Sequence, residues 1–226
     1  MGENKLDNHN MTLIKSIKSH LRDGGFHRWL QRQRGKRSLV GWERAGFPNP
    51  PPQAYKQKLV RELARKYRMR TLVETGTCYG NMVAASMGIF DVIYSIELFD
   101  DFYEQNQRRF ARFPKVRLRH GDSAVELPKI LDELREPALF WLDAHYSGTG
   151  TGRADLDTPI EAELREIAAR GIPGHVILID DARDFTGEND YPTVEQCREM
   201  AAHYWPKSQF SVEFDVIRIL PEQNYG

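Results

Sequence analysis

Two cysteines, Cys78 and Cys197, are all that the 226 residues contain, far apart and without zinc-type spacing. That scarcity excludes a disulfide framework and a structural metal knuckle. No apolar run approaches the roughly eighteen residues of a membrane span, and the N-terminus lacks the apolar core of a secretory signal. A cytoplasmic chain with no transmembrane segment is expected. Met11 to Leu21 is mildly amphipathic, with Lys15 and Lys18 on its polar side, which permits weak membrane-surface contact. Net charge is also missing, since 32 basic residues balance 32 acidic ones. The balance conceals a split: residues 1–70 hold 17 Lys and Arg against 5 acids, and residues 71–226 hold 15 against 27. The cluster Arg28, Arg32, Arg34, Lys36 and Arg37 suits an anionic substrate, nucleic acid or a membrane surface, and equally a solvated helix face.

The length suits one large α/β domain with a full core and is short for two. Consecutive prolines extend a chain and do not sit inside a helix. Pro48-Asn49-Pro50-Pro51-Pro52 is therefore the linker candidate, dividing a basic N-terminal segment, 1–52, from a main domain, 53–226.

Within Thr71 to Gly80 an apolar strand runs into Glu74, Gly76 and Gly80. Glycines at a strand-to-helix turn let backbone approach a ligand closely. A dinucleotide site uses three glycines as G-x-G-x-x-G. Here the middle glycine is absent, and Glu74 would repel phosphate. A ligand bearing an ammonium and a sulfonium, as S-adenosylmethionine does, would be attracted. This E-x-G-x-x-x-G pattern, Glu74, Gly76 and Gly80 with Thr77 in the loop, resembles the first motif of class I methyltransferases.

Strands and helices alternate after the prolines. Helices are expected at Gln53 to Tyr67, Asn81 to Met87 and Asp101 to Phe113, and from Ser123, with Glu126 as a capping box, through Leu134. Thr158-Pro159-Ile160-Glu161 opens another, to about Arg170, and Thr193 with Gln196 a last one. Strands fall at Thr71, Asp91 to Glu97, Val116 to Arg119, Ala138 to Asp143 and His175 to Asp180. The last two are almost continuously apolar, as central strands of a parallel sheet are. Phe210 to Phe214 and Val216 to Leu220 lie too close for a helical crossover and so pair antiparallel. The expected fold is α/β, a Rossmann-like doubly wound, mainly parallel sheet with a C-terminal antiparallel hairpin. It matches the class I methyltransferase plan from about Leu72 to Leu220, while sheet order is not legible.

Ligands of such sheets bind beyond the carboxyl ends of the strands. Glu97 ends the second strand, where an acid can accept both ribose hydroxyls. Asp122 and Ser123 follow the third, where the resemblance implies contacts to adenine. Asp143 ends the fourth strand, and Asp180 and Asp181 the fifth. Like charges so placed raise one another's pKa unless a cation lies between them, and oxygen ligands in an open shell suit Mg²⁺.

In this respect the chain resembles the metal-dependent O-methyltransferases of the catechol and macrolide-sugar types, which implies Asp143, Asp180 and Asp181 as metal ligands. The Asp-Asp pair is closer to the sugar-modifying group. Tyr146 stands where the catechol type carries a catalytic lysine, so His145, suited to proton removal near neutrality, is the base candidate beside Asp143. The loop Tyr146 to Asp157, with Gly148, Gly150 and Gly152, reads as a lid.

The resemblance implies an S-adenosylmethionine-dependent O-methyltransferase, assisted by Mg²⁺, acting on a hydroxyl of a sugar, glycan precursor or natural product. A homo-oligomer is left open. Two alternatives remain: a metal-free methyltransferase of the same fold acting on nitrogen, carbon or nucleic acid, and a non-catalytic nucleotide-binding protein. Nucleic acid is disfavoured as a partner, because no Asn-Pro-Pro-Tyr-like tetrapeptide follows the fourth strand.

Overall fold

The computed structural model describes residues 25–143 and 158–222. Two compact units are present, residues 1–48 with 52–55, and residues 49–51 with 56–226. In the first, helix α1 (Gly25–Arg44) ends in a turn closed by Trp42. The indole N–H donates to the Pro48 carbonyl at 2.7 Å, and the rings of Phe47 and Tyr55 lie 4.9 and 4.8 Å from it.

The second unit carries a seven-stranded sheet in the order β3-β2-β1-β4-β5-β7-β6. Its strands are β1 (Thr71–Thr75), β2 (Val92–Glu97), β3 (Val116–His120), β4 (Leu139–Leu142), β5 (Val176–Ile179), β6 (Gln209–Glu213) and β7 (Val216–Leu220). β1 to β5 are parallel, and β7 pairs antiparallel with both β5 and β6. This is the doubly wound sheet with a closing hairpin expected from the sequence. β1, β4 and β5 are buried along their whole length, as their apolar runs require, while the edge strand β3 is buried nowhere along its length.

The helices are α2 (Gln53–Lys66), α3 (Asn81–Ser86), α4 (Asp100–Phe110), α5 (Ser123–Glu133), α6 (Ile160–Ala169) and α7 (Val194–Tyr204). α2 turns Lys56, Leu59, Val60, Leu63 and Ala64 inward, the spacing of one helical face. The expected capping box at α7 is complete. Thr193 Oγ1 accepts from the Gln196 amide and Gln196 Oε1 from the Thr193 amide. Two other helix starts differ from expectation. Asp122, not Ser123, caps α5 by accepting the Ala124 amide at 2.8 Å, because Ser123 is already helical and turned into the core. At α6 Pro159 is the N-cap rather than the first helical residue, and the Thr158 hydroxyl accepts from the Ile160 amide at 3.4 Å, two residues ahead of the helix. Among the described residues, no helix is long and apolar enough to cross a membrane.

Strand order reverses between β1 and β4. Register then sets the chemistry: Thr75 faces Leu142 and Leu142 faces Ile179, so the residues following β1, β4 and β5 emerge at one level. The Asp143 amide donates to the Thr75 carbonyl at 3.1 Å and the Asp180 amide to the Leu142 carbonyl at 3.0 Å, continuing the ladder one step beyond the strands.

Candidate functional site

The turn after β1 is built by glycine where backbone demands it. Gly80 caps α3 in a left-handed conformation, φ 67°, and a Cβ there would lie 2.2 Å from Asn106 Oδ1 and 2.8 Å from a Phe110 ring carbon. Any side chain there would collide with both, so Asn106 and Phe110 would have to move. Asn106 Nδ2 in turn donates to the Cys78 carbonyl at 2.6 Å, and the amides of Gly76 and Thr77 both donate to the Ile96 carbonyl at 3.0 Å.

Two buried carboxylates flank this turn. Glu74 pairs with Ser95 in the β1–β2 register, and the Ser95 hydroxyl donates to its Oε2 at 2.6 Å. Thr77 Oγ1 lies 2.6 Å from Ser95 Oγ and extends the chain of hydroxyls. Burial, with Asp143 and Glu97 nearby, pushes the Glu74 carboxyl up to about 8, against the pull of Ser95. Glu97 accepts the Cys78 amide at 2.7 Å and the Phe99 amide at 2.9 Å. Burial raises its pKa as well, while those amides and His120 oppose the rise. Glu97 is thus tied to the glycine turn itself, a link invisible in sequence.

At the other end, one oxygen each of Asp143, Asp180 and Asp181 lie within 4.8 Å of one another. Their convergence was expected; what lies among them was not. Lys56, reaching in from α2 and only 5% exposed, donates to Asp180 Oδ2 at 2.6 Å and to Asp181 Oδ1 at 3.1 Å. Burial works to discharge this ammonium, but Asp180 and Asp181 outweigh it and raise its pKa above the ordinary value. Asp180 is pushed up to about 7, first by burial and then by Asp143, although Lys56 pulls it down.

Asp181 adopts a left-handed backbone, φ 55°, which Asp tolerates better than most residues. Asp180 Oδ1 holds it there by accepting its amide at 2.8 Å. Arg183, in the 3₁₀ turn Ala182–Asp184, donates to Asp181 Oδ1 at 2.9 Å and also to Asp215 in the β6–β7 turn. The terminal hairpin therefore braces the acid pair.

A further acid, which sequence reading passed over, is Glu163 on α6. It is 1% exposed and pushed up to about 7 by burial, with the hydroxyls of Ser123 and Thr75 acting against the shift. It lines a small cleft with Leu142, Thr158, Asp180, Phe185 and Tyr191. Ser123 thus serves this buried carboxyl, and Asp122 the helix cap. His145 and the glycine loop Tyr146 to Asp157 lie outside the described residues. Lys56 and Glu163 shared one overlooked signal, a charged residue on the apolar stripe of an amphipathic helix.

No family model matches the chain, and no curated protein matches it by sequence. Solved structures do match its fold. An O-methyltransferase from Bacillus cereus, in complex with S-adenosylhomocysteine, is 16% identical, with a TM-score of 0.55 over 82% of this chain and 90% of that one. TomG from Streptomyces achromogenes, an O-methyltransferase involved in tomaymycin synthesis and bound to S-adenosylmethionine, is 18% identical, with a TM-score of 0.55 over 83% and 89%. The Podospora anserina methyltransferase PaMTH1, bound to S-adenosylhomocysteine, is 18% identical at 0.53, over 82% and 88%. The chain has the class I methyltransferase fold, a Rossmann-like sheet closed by an antiparallel hairpin.

Proposed function

We propose that the chain is an S-adenosylmethionine-dependent O-methyltransferase acting on a hydroxyl compound such as a sugar, a glycan precursor or a natural product. One observation carries this: Glu74 and Glu97 are buried beside the glycine turn at the reversal of strand order, and neutral donors meet both. A buried carboxylate so placed gains most from a cationic ligand, and Glu97 still has acceptor capacity for ribose hydroxyls. Bound there, S-adenosylmethionine would supply an electrophilic methyl group to an acceptor oxygen. The chain's own task is to hold that oxygen in line and take its proton. Asp143 stands beside the Glu74 end through Thr75, and His145, two residues later, is the proposed base.

A divalent ion on Asp143, Asp180 and Asp181 is the finer form of this reading. Three converging carboxylate oxygens have the right chemistry for Mg²⁺. The donor set does not fit the ion as it stands, since Asp180 Oδ2 and Asp181 Oδ1 already accept from Lys56, and Asp181 Oδ1 from Arg183 as well.

Titration calorimetry tests the cofactor assignment. S-adenosylhomocysteine should bind, and Glu97→Ala should weaken it by roughly tenfold or more, because hydrogen bonds to a charged acceptor contribute about 1.5–3 kcal/mol. Tight binding of NAD with no response to S-adenosylhomocysteine would sink the assignment. Turnover of a hydroxyl acceptor separates the enzyme from a nucleotide-binding protein that lacks chemistry.

A further inference from the structure

We propose that the ammonium of Lys56 is the resident cation of the Asp143, Asp180 and Asp181 centre, in place of a divalent ion. It is a positioning residue that fixes the acid pair facing the acceptor, and this second part rests on the O-methyltransferase reading.

Three observations support it. The first is where the lysine comes from. Lys56 lies on the inward stripe of α2 with Leu59, Val60 and Leu63, where lysine is rarely found unless it is paired. Desolvating an ammonium is costly and is offset only by close, well-directed carboxylates. Lys56 has two, at 2.6 and 3.1 Å.

The second is which atoms it uses. The oxygens bonded to Lys56 belong to two of the three acids that would ligate an ion. Magnesium needs oxygens at about 2.0–2.1 Å in near-octahedral array. An ion drawing on those oxygens would sit against the ammonium, and two positive charges at such range repel strongly in a buried site. Occupation is therefore exclusive: the ion enters only if the lysine leaves.

The third is what the ammonium does to its partners. It ties Asp180 and Asp181 together through one nitrogen, while the Asp180 carboxylate also holds the Asp181 amide in its left-handed turn. Arg183 completes the brace from the far side. The acid pair is thus oriented before any ligand arrives, the task a metal performs in an oxygen-ligand centre.

The test uses the full chain, Mn²⁺ as the probe, and electron paramagnetic resonance with calorimetry as readouts. Wild-type protein should show no stoichiometric Mn²⁺ binding at millimolar concentration. Lys56→Gln, which empties the centre of its cation, should bind Mn²⁺ at least tenfold more tightly, and Lys56→Arg should behave as wild type. A merely structural lysine would not create a metal site on removal. If Lys56→Gln does not fold, Lys56→Met preserves the packing of the stem and takes its place. Stoichiometric Mn²⁺ binding by wild type, lost in Asp181→Asn, overturns the proposal. So does failure of every folded Lys56 variant to bind, since the acids would then have no need of a cation. S-adenosylhomocysteine titrated into the same samples separates the two readings: its failure to bind removes the methyltransferase function, and the Mn²⁺ result still judges Lys56.

Discussion

The two ends of the strand-end row solve the same electrostatic problem in opposite ways. At β1 and β2, Glu74 and Glu97 are buried and answered by dipoles, a serine hydroxyl and two backbone amides. At β5, Asp180 and Asp181 are buried and answered by charges, from Lys56 and Arg183. Burial raises Asp180 to about 7 and Glu74 to about 8, so the ends differ in their partners rather than in their shifts: the pair at β5 has cations beside it, and Glu74 is met by dipoles. An acid held this way has unspent affinity for a cationic ligand. The acid pair at β5 has its affinity already engaged within the chain, by Lys56 and Arg183. The contrast agrees with the proposed methyltransferase reading, in which the cofactor takes the first end and the acceptor the second.

Removing one acid from each end should break or confirm this contrast most strongly. Asp180→Ala leaves Lys56 buried beside a weakened partner set, and losing one member of a buried pair costs about 3–5 kcal/mol. Glu74→Gln removes a group that already tends to neutrality, so at slightly alkaline pH it should cost little or even stabilise. Urea unfolding of both variants measures the difference. Equal losses would mean that the two ends are not differently neutralised.

The next effect is a pH slope. Glutamates in the unfolded chain lose their protons near their ordinary value of 4.5, whereas Glu74 keeps its proton to about 8 and Glu163 to about 7. Between those limits the folded state binds more protons than the unfolded one, so stability falls as pH rises. Each group contributes a slope of about 1.4 kcal/mol per pH unit across its window. Asp180, raised to about 7, adds to the same trend, so the share of Glu74 is read by difference. Glu74→Gln should flatten the stability profile between pH 5 and 8 without abolishing it. An unchanged profile would mean that Glu74 is ionised throughout, and the dipole-answered end would lose its distinction.

What the sequence made legible follows from local chemistry. β4 and β5 announced themselves as central strands because Leu139 to Leu142 and Val176 to Ile179 are apolar on both faces, and the capping box at Thr193 and Gln196 was readable from spacing alone. Glu74, Glu97 and Asp143 fell at strand ends for the same reason. The order β3-β2-β1-β4-β5-β7-β6 was not readable, since it depends on crossovers rather than residue types. Lys56 and Glu163 escaped because each is one charge among many, and only their place on a buried helical stripe distinguishes them. Their partners lie far away in sequence, Asp180 being 124 residues from Lys56. Periodicity shows that a residue turns inward; it does not show what meets it there.

The smallest expected effect sharpens the cofactor end at its outer edge, where Asp122 has two candidate roles. As the cap of α5 it accepts the Ala124 amide at 2.8 Å, and replacing such a cap by alanine costs about 0.5–2 kcal/mol. As an adenine contact it would contribute to cofactor affinity through the same carboxylate. Asp122→Ala should therefore lower stability by about 1 kcal/mol and weaken S-adenosylhomocysteine a few fold, since one hydrogen bond contributes about 0.5–1.5 kcal/mol. Asp122→Asn keeps an oxygen for the Ala124 amide and should recover the stability, with affinity recovered in part. Thermal unfolding and calorimetry on the two variants separate the roles. If stability alone moves, Asp122 is a helix cap, and the recognition at this end contracts to Glu74, Glu97 and the glycine turn that Glu97 holds in place.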